Sequence, residues 1–204
     1  IGAPVNELLE LENLPENYKK KLLIIKYNSQ RLYKLISDIL DFRKLTQKQL
    51  LLKVSETKIG SVIENIHLAF NVECAKKHID FKVNITNQEL IYVELKKIEK
   101  ILWNLMSNAL KFTEKGMVRF GYREVGNMIE FYVEDTGIGI EEEHLPRLFD
   151  RFYKIETKKG KLYKGTGIGL SLCKDLVILL GGRIWVKSTF GKGTTFSFTL
   201  PKSV

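Results

Sequence analysis

The sequence is poor in the residues that define several protein classes. Two cysteines and four prolines in 204 residues exclude a disulfide-stapled secreted scaffold and a proline-rich disordered chain. The longest apolar run, residues 176–180, is too short to cross a bilayer, and no segment has the pattern of a secretory signal. Acidic residues are in deficit, since 33 Lys and Arg against 24 Asp and Glu give a net charge of +9. That excess predicts a polyanionic partner: a nucleic acid, an anionic membrane or a phosphorylated ligand.

The N-terminal part of the chain has a helical pattern. Apolar residues recur at three- and four-residue spacing in residues 1–12 and about 16–45, with Pro15 between the two segments. Two helices joined by a short turn predict an antiparallel hairpin, whose apolar seam needs a partner. A second copy of the chain is the simplest partner, and the chain's own downstream domain is the alternative. We therefore divide the chain into a hairpin, residues 1–48, and a second domain, residues 49–204.

The second domain mixes strand and helix patterns. Strands are predicted at residues 50–54, 79–85, 90–93, 117–124, 127–135, 182–188 and 194–200. Helices are predicted at residues 58–77, capped by Ser55 or Thr57, and at residues 94–112, 145–153 and 166–180. Adjacent strands are close enough along the chain to pair antiparallel. The pattern predicts an α+β fold, a two-layer α/β sandwich with one mixed sheet and helices on one face.

Two asparagines stand out on the predicted helix 94–112. Asn104 and Asn108 are four residues apart and share one helix face. Asparagine is a mediocre helix former, so the pair suggests a polar use, with amide oxygens directed at Mg²⁺ or its waters. Lys111 lies one turn further on, where its ammonium can reach a phosphate. A solvated helix face is the alternative.

Three glycine-rich segments follow along the chain. Asp135–Ile140 comes after a strand, and a carboxylate there can accept a hydrogen bond from an exocyclic amine. Gly165–Leu170 leads into a helix and resembles a phosphate-cradling loop, although it fits neither a dinucleotide fingerprint nor a Walker loop. Gly191–Thr194 is uninformative alone, and a plain turn is the alternative for each segment.

A lysine-rich stretch separates the first two glycine segments. Its lysines are Lys154, Lys158, Lys159, Lys161 and Lys164. The stretch lacks an apolar period and contains a glycine, which predicts a mobile basic lid. A solvated loop is the alternative, but the position between two glycine segments favours a lid over phosphates.

Taken together, these segments resemble the ATP-binding domain of sensor histidine kinases, within the wider superfamily of gyrase, heat-shock and mismatch-repair ATPases. The resemblance rests on the order and spacing of an asparagine box (residues 104–111), the three glycine boxes and a phenylalanine box (residues 148–153). It runs from about Leu52 to Pro201. It implies the histidine kinase/gyrase-type ATPase fold, with ATP and Mg²⁺ as cofactors.

The hairpin extends the resemblance. Residues 28–45 look like the second helix of a dimerisation and phosphotransfer domain, in the style of hybrid two-component sensors of Bacteroidetes. The family's phosphoacceptor histidine lies on the first helix, and residues 1–4 resemble the sequence just downstream of that histidine. We therefore expect the phosphoacceptor to lie outside this sequence, because His67, His78 and His144 all lack its sequence context.

The resemblance also implies partners and a location. The partners are a second copy, as a homodimer through the hairpin, and a response-regulator receiver domain. Direct nucleic-acid binding and membrane contact by this fragment are not expected. Together with the few cysteines, Cys74 and Cys173, the resemblance predicts a cytoplasmic fragment of a parent protein anchored in the bacterial inner membrane.

Site roles follow from the resemblance position by position. Asp135 accepts a hydrogen bond from the adenine amino group, with Thr194 nearby through water, and Asn108 ligates Mg²⁺ with support from Asn104. Lys111 and Arg151 neutralise phosphate charge. Asn104, Lys111 and Arg151 are the catalytic candidates. The expected nucleotide-binding residues are Asn104, Asn108, Lys111, Asp135, Gly137, Gly139, Ile140, Phe149, Arg151, Tyr153, Gly165, Thr166, Gly167, Ile168, Gly169, Leu170 and Thr194.

The residue at position 104 bears on the reaction type. In the ATPase branches of the superfamily, a glutamate one turn before the metal-binding asparagine activates water. An amide cannot act as a general base, so Asn104 favours phosphoryl transfer, which mainly needs positioning and charge neutralisation.

The implied enzyme is a protein-histidine kinase that donates the γ-phosphoryl group of Mg-ATP to a histidine outside this chain, for relay to a response-regulator aspartate. The fragment alone is not expected to autophosphorylate. The alternatives are an ATP hydrolase of the same superfamily, a basic nucleic-acid-binding module, and a scaffold that binds no nucleotide.

Overall fold

The computed structural model describes residues 2–11, 14–46, 52–85, 90–155 and 166–202. These residues belong to two compact units, Ile1–Leu50 and Leu51–Val204. Within the described residues, no helix combines the length and the apolar character needed to cross a lipid bilayer.

The first unit is a pair of helices. Helix α1 spans Gly2–Leu9 and helix α2 spans Glu16–Thr46, and the two pack against each other. The carbonyl oxygen of Pro15 accepts hydrogen bonds from the backbone N–H groups of Tyr18 and Lys19, which starts α2. Large apolar side chains of α2, such as Ile25 and Ile36, remain about half exposed.

The second unit contains the remaining elements. The strands are β1 (Ser55–Lys58), β2 (Ile79–Asn84), β3 (Leu90–Val93), β4 (Gly116–Val125), β5 (Met128–Asp135), β6 (Arg183–Thr189) and β7 (Gly193–Pro201). The helices are α3 (Ile59–Lys76), α4 (Leu95–Phe112) and α5 (Gly169–Leu179), with a 3-10 helix at Glu142–Arg147. Five strands form one sheet in the order β2-β4-β5-β7-β6. Strand β2 is parallel to β4 and the other neighbours are antiparallel, which confirms the predicted mixed sheet.

The core lies between this sheet and the three helices. Three successive rows of the β5–β7 pair are apolar: Ile129 with Leu200, Phe131 with Phe198, and Val133 with Phe196. The Phe131 and Phe198 rings stack 4.8 Å apart. Helix α4 covers the sheet with an apolar stripe at three- and four-residue spacing, as an amphipathic helix does. The α+β prediction of a two-layer sandwich is confirmed.

The prediction for residues 52–58 is wrong, and residues 50 and 51 of the predicted first strand lie outside the described residues. Residues 52–54 form no strand, and the strand lies at Ser55–Lys58, where Ser55 or Thr57 was expected to cap a helix. Helix α3 begins at Ile59, and Lys58 precedes it without a side-chain cap. Strand β1 pairs with β3 and forms a second, two-stranded sheet. The prediction of one sheet was therefore incomplete. The pairing that recruits β1 is between segments distant in sequence, which local hydrophobicity does not report.

Two helix boundaries also differ from the prediction. A 3-10 helix occupies Glu142–Arg147, in place of a helix over residues 145–153. Pro146 lies inside it, and proline cannot donate the hydrogen bond that a longer α-helix needs. Helix α5 begins at Gly169 rather than Thr166, because the glycine box itself forms a non-helical entry loop.

Candidate functional site

The apolar rows of the sheet end in a polar row. Asp135 is the last residue of β5, and it pairs with Thr194 of β7, which pairs in turn with Ser188 of β6. Both Asp135 and Thr194 are 7% exposed. The structure therefore brings together Asp135 and Thr194, which the sequence placed in the same site from segments 59 residues apart.

The Asp135 carboxylate is oriented by backbone groups. The Gly137 N–H donates to Asp135 Oδ1 across 2.8 Å, and the Thr194 N–H also donates to the carboxylate. Burial raises the pKa of Asp135 to about 6, because removal from water disfavours the charged form. The two backbone donors oppose this shift, and the neighbouring Glu134 adds to it. A carboxylate held in this way is a fixed hydrogen-bond acceptor at the end of the sheet.

Ser188 links three segments around Asp135. Its hydroxyl donates to the Gly193 carbonyl oxygen across 2.8 Å and accepts from the Ile140 N–H across 2.9 Å. It also lies 2.9 Å from the hydroxyl oxygen of Thr194. The first and third glycine boxes are thus joined through one serine side chain, which the sequence interpretation missed. The sequence signal that could have found Ser188 is the alternation along β6, which puts Ser188 on the same side of the strand as Ile184 and Val186.

The first glycine box is glycine-rich for reasons of packing. A Cβ at Gly137 would lie 2.8 Å from the carbonyl carbon of Phe112, and one at Gly139 would lie 2.9 Å from the Cα of Phe190. Both distances are shorter than real Cβ contacts. The protein's own backbone occupies the space that these two glycines leave, so they shape the loop that carries Asp135.

The asparagine box faces the start of α5. The Asn104 side-chain amide donates to the Gly169 carbonyl oxygen across 3.3 Å. Asn108 lies one turn further along α4 and is half-buried, and its side chain has no hydrogen-bond partner within the described part of the chain. The structure therefore joins Asn104 to the second glycine box.

The second glycine box contacts the phenylalanine box. Gly167 has a φ of +75°, and a Cβ there would lie 2.8–2.9 Å from backbone atoms of Phe152. The Phe152 N–H donates to the Gly167 carbonyl oxygen across 2.9 Å. Around this turn, the Thr166 hydroxyl accepts from the Ile168 N–H across 3.2 Å. Ile168 is buried, and Leu170 lies in the first turn of α5. Gly165 and residues 156–164 of the lysine-rich stretch lie outside the described residues.

Two lysines carry positive charge near the end of α4. Partial removal from water lowers the pKa of Lys111, and the charge of Lys154 lowers it further. The Lys111 ammonium also lies 4.4 Å from the centroid of the Phe112 ring. The charge of Lys154 thus acts on the Lys111 ammonium, because like charges disfavour each other's charged form. Lys154, which follows the phenylalanine box, is therefore a site candidate that the expected nucleotide-binding set omitted.

The phenylalanine box is anchored at both ends. The Phe149 ring meets the Phe196 ring edge-on at 6.3 Å. The Tyr153 hydroxyl lies 2.9 Å from His144 Nδ1, and the Arg147 guanidinium lies 4.5 Å from the Tyr153 ring centroid. Phe152 differs, because its side chain is 70% exposed. Arg151 Nη2 lies 3.6 Å from Asp175 Oδ2 of α5.

Residues 94–204 match the family described as histidine kinase-, DNA gyrase B-, and HSP90-like ATPase. The chain belongs to this family. Curated relatives narrow the branch, because they are named as sensor or hybrid histidine kinases. Residues of the second unit are thus the ATP-binding catalytic domain of a sensor histidine kinase. Asp135, Asn104 and the glycine boxes all lie within the matched range.

The curated relatives are much longer than this chain. Hybrid signal transduction histidine kinase B of Dictyostelium discoideum is 35% identical over 98% of this chain, which covers 11% of that protein. Sensor protein SrrB of Staphylococcus aureus is 30% identical over 92% of this chain, which covers 32% of that protein. The resemblance to Bacteroidetes sensors stays a prediction.

Solved structures of histidine kinases share the fold of this chain. The full-length ShkA structure in complex with AMPPNP has a TM-score of 0.79 and 23% identity, and the match covers 98% of this chain and 43% of that chain. Histidine kinase ThkA in complex with response regulator protein TrrA has a TM-score of 0.72 and 24% identity, with 98% and 56% coverage. At these identities the likeness concerns the fold.

Proposed function

We propose that this chain binds Mg-ATP and donates the γ-phosphoryl group to a histidine side chain. The observation that carries the proposal is the buried Asp135 carboxylate at the end of the sheet, held by two backbone donors. Its position among the glycine boxes suits recognition of an exocyclic amine. The adenine amino group would donate to Asp135, and Thr194 would act nearby through water.

The triphosphate would extend from Asp135 toward the start of α5. The N–H groups of the loop before α5 lie at the positive end of a helix dipole, which favours an anion. Lys111 and Lys154 would neutralise phosphate charge, which also relieves their mutual repulsion. Arg151 reaches a phosphate only in competition with Asp175.

The residues of α4 fit a hard divalent cation. The half-buried Asn108 side chain has no protein partner among the described residues, and amide oxygens are ligands that Mg²⁺ accepts. Asn108 would hold Mg²⁺, which would offset charge on the phosphate oxygens. Asn104, bonded to Gly169, would support it by fixing the distance between α4 and α5.

The reaction is a transfer between two nucleophiles. The bond between the γ-phosphorus and the bridging oxygen breaks, a bond from that phosphorus to an imidazole nitrogen forms, and ADP leaves. Asn104 occupies the position where a glutamate would activate water, and an amide cannot take a proton at neutral pH. The site is therefore suited to transfer rather than hydrolysis.

The acceptor histidine would come from outside this chain. The His67 ring stacks on Phe81 at 5.0 Å. His78 has a φ of 54° in the turn before β2, and His144 contacts the Tyr153 hydroxyl. Each of the three thus has a structural contact or a turn conformation that accounts for it. We propose that residues 1–48 are part of a dimerisation and phosphotransfer hairpin, through which two copies associate.

The proposed destination of the phosphoryl group is a response-regulator aspartate. Support comes from the fold shared with ThkA, which was solved with a response regulator. The parent protein would place this catalytic domain in the cytoplasm from an anchor in the bacterial inner membrane. The net positive charge needs no nucleic acid, because part of it lies in the lysine-rich stretch between the first two glycine boxes, which suits a triphosphate.

Titration with ATP, with and without Mg²⁺, tests the proposal. We expect Mg²⁺-enhanced binding that Asp135→Ala abolishes and that Glu114→Ala, an exposed acid outside the site, leaves unchanged. With γ-labelled ATP, the chain alone should acquire no acid-labile phosphate, and a parent chain that includes the upstream helix should acquire it on histidine. Steady ATP hydrolysis that survives Asn104→Ala would favour the hydrolase instead, and binding unaffected by Asp135→Ala would refute the site.

A further inference from the structure

We propose that Glu141, Glu143 and His144 form a binding site for one divalent transition-metal ion of the Zn²⁺ class, separate from the Mg²⁺ proposed to accompany ATP. The three residues lie between the first glycine box and the phenylalanine box, and none of them belongs to the expected nucleotide-binding set. The inference goes beyond the proposed function, since it concerns metal binding in the absence of nucleotide.

The local backbone brings the three side chains together. Glu141 precedes the 3-10 helix Glu142–Arg147, and its carbonyl oxygen accepts from the His144 N–H across 3.0 Å. His144 Nε2 lies 3.6 Å from Glu143 Oε1. One ligand atom from each of the three side chains lies within 4.8 Å of the other two. Among the described residues, this is the only group of three His, Cys, Asp or Glu side chains as close as this.

The donor set selects the ion. An imidazole nitrogen suits Zn²⁺, Cu²⁺ and Ni²⁺, whereas Mg²⁺ and Ca²⁺ prefer oxygen ligands alone, and two carboxylates balance the charge of the ion. Tetrahedral Zn²⁺ with bonds of about 2.0–2.2 Å places its ligand atoms about 3.3–3.6 Å apart, which the distance from His144 Nε2 to Glu143 Oε1 already meets. The Glu143 side chain is 73% exposed, so it can rotate to close the remaining gap to Glu141. Water would complete the fourth position.

A contact outside the ligand group positions His144. Its Nδ1 lies 2.9 Å from the Tyr153 hydroxyl oxygen, so Nε2 is the nitrogen that remains for a metal. A hydroxyl oxygen can accept as well as donate, and Tyr153 can therefore accept the Nδ1 proton when Nε2 gives its lone pair to the ion. Partners of this kind orient the ring of metal-binding histidines and fix its tautomer. Tyr153 is thus a positioning residue, through which the ion would connect the loop after the first glycine box to the end of the phenylalanine box.

Titration of the chain with Zn²⁺ in the absence of nucleotide tests the site. We expect one Zn²⁺ per chain, which a roughly hundredfold excess of Mg²⁺ should not displace. Glu143→Gln and His144→Ala should each weaken Zn²⁺ binding by about tenfold or more, because each removes a ligand. Glu142→Gln is the matched control, since Glu142 is an exposed neighbouring acid outside the ligand group, and its Zn²⁺ affinity should equal that of the unmutated chain.

X-ray absorption by the Zn²⁺-loaded chain identifies the ligand atoms. We expect imidazole nitrogen and oxygen ligands without sulfur, because Cys74 and Cys173 are buried. Tyr153→Phe keeps all three ligands, so it should still bind one Zn²⁺ per chain, with an affinity lower by about tenfold. A chain that binds no Zn²⁺, sulfur bound to the ion, or unchanged affinity in Glu143→Gln would overturn the proposal. Thermal unfolding shows that each variant is folded, which the exposed position of Glu143 favours for Glu143→Gln.

Discussion

The side-chain amide of Asn104 in α4 donates to the carbonyl oxygen of Gly169, the first residue of α5, across 3.3 Å. The two residues are 65 positions apart in the chain. The contact fixes the asparagine box relative to the second glycine box, and both are proposed to bind the nucleotide.

Removal of this contact should lower both the stability of the fold and the affinity for the nucleotide. We expect Asn104→Ala to cost about 1 kcal/mol of unfolding free energy, the net value of one hydrogen bond. We also expect roughly tenfold weaker Mg-ATP binding, because α4 and α5 are no longer held together. Denaturant unfolding and calorimetric titration measure the two quantities. Asn65→Ala, on the exposed face of α3, is the control and should change neither, and unaltered affinity in Asn104→Ala would contradict the prediction.

The raised pKa of Asp135 predicts how stability depends on pH. Its pKa is about 6 in the folded protein and 3.8 when unperturbed, so the folded state holds a proton that the unfolded chain releases between these values. This carboxyl therefore stabilises the folded protein fully only below pH 3.8, and the contribution, about 3 kcal/mol, is lost as pH rises through 6. Asp135→Asn should remove this component of the pH profile, and chemical denaturation between pH 4 and 7 measures it.

The same group should make nucleotide binding sensitive to acid. An amino group donates to the ionised carboxylate, so binding should weaken as the pH falls below about 6, approaching about tenfold per pH unit. Titration of ADP between pH 5 and 8 measures this. The Asp135→Asn variant gives the profile that comes from the phosphates alone. Identical profiles for the two proteins would show that Asp135 does not meet the base.

A comparison of Gly167 with Gly126 distinguishes two costs of replacing a glycine that has a positive φ: the conformational penalty and the clash of the new Cβ. Both have positive φ, at +75° and +61°, but a Cβ would meet the Phe152 backbone at Gly167 and nothing within 4 Å at Gly126. Gly126→Ala should therefore cost only the conformational penalty, about 1 kcal/mol. Gly167→Ala should cost more and should also weaken nucleotide binding, because it displaces the phenylalanine box. Equal losses of melting temperature, with affinity retained, would show that the Phe152–Gly167 contact is dispensable.

Lys111 and Lys154 should act on the phosphates and not on the base. We expect Lys111→Met to weaken binding of ATP far more than binding of adenosine, with a smaller salt dependence, because one cation is removed. Lys154→Met should do the same and should also raise the pKa of Lys111, since the Lys154 charge contributes to lowering it. Lys115→Met, an exposed lysine in the turn after α4, is the control. A similar loss of affinity for ATP and for adenosine would show that the two lysines do not act on the phosphates.

Long periodic segments were predictable because their signal is local. Helix α4 has an apolar stripe at helical spacing, and strands β4 and β5 alternate on either side of a short turn. The position of Asp135 was also predictable, since the alternating pattern of β5 ends at this residue, just before two glycines. Strand β1 was not, because Ser55–Lys58 has no apolar pattern and becomes a strand only by pairing with β3.

Ser188 and Lys154 show what the sequence did not contain. Ser188 has no motif around it, and its importance arises because β6 and β7 place it beside Thr194. Lys154 was one of five similar lysines in the sequence; the other four lie outside the described residues, and the charge of Lys154 lowers the pKa of Lys111.

The residue types and their order along the chain determined the family, the α+β class and most of the chemistry proposed for the site. Those features depend on local periodicity and on motifs a few residues long. The tertiary structure alone decided which side chains meet: Asn104 with Gly169, and Ser188 with Thr194. Hydrogen bonds between distant segments depend on the sheet register and on helix packing, and neither is encoded in the spacing of any one motif.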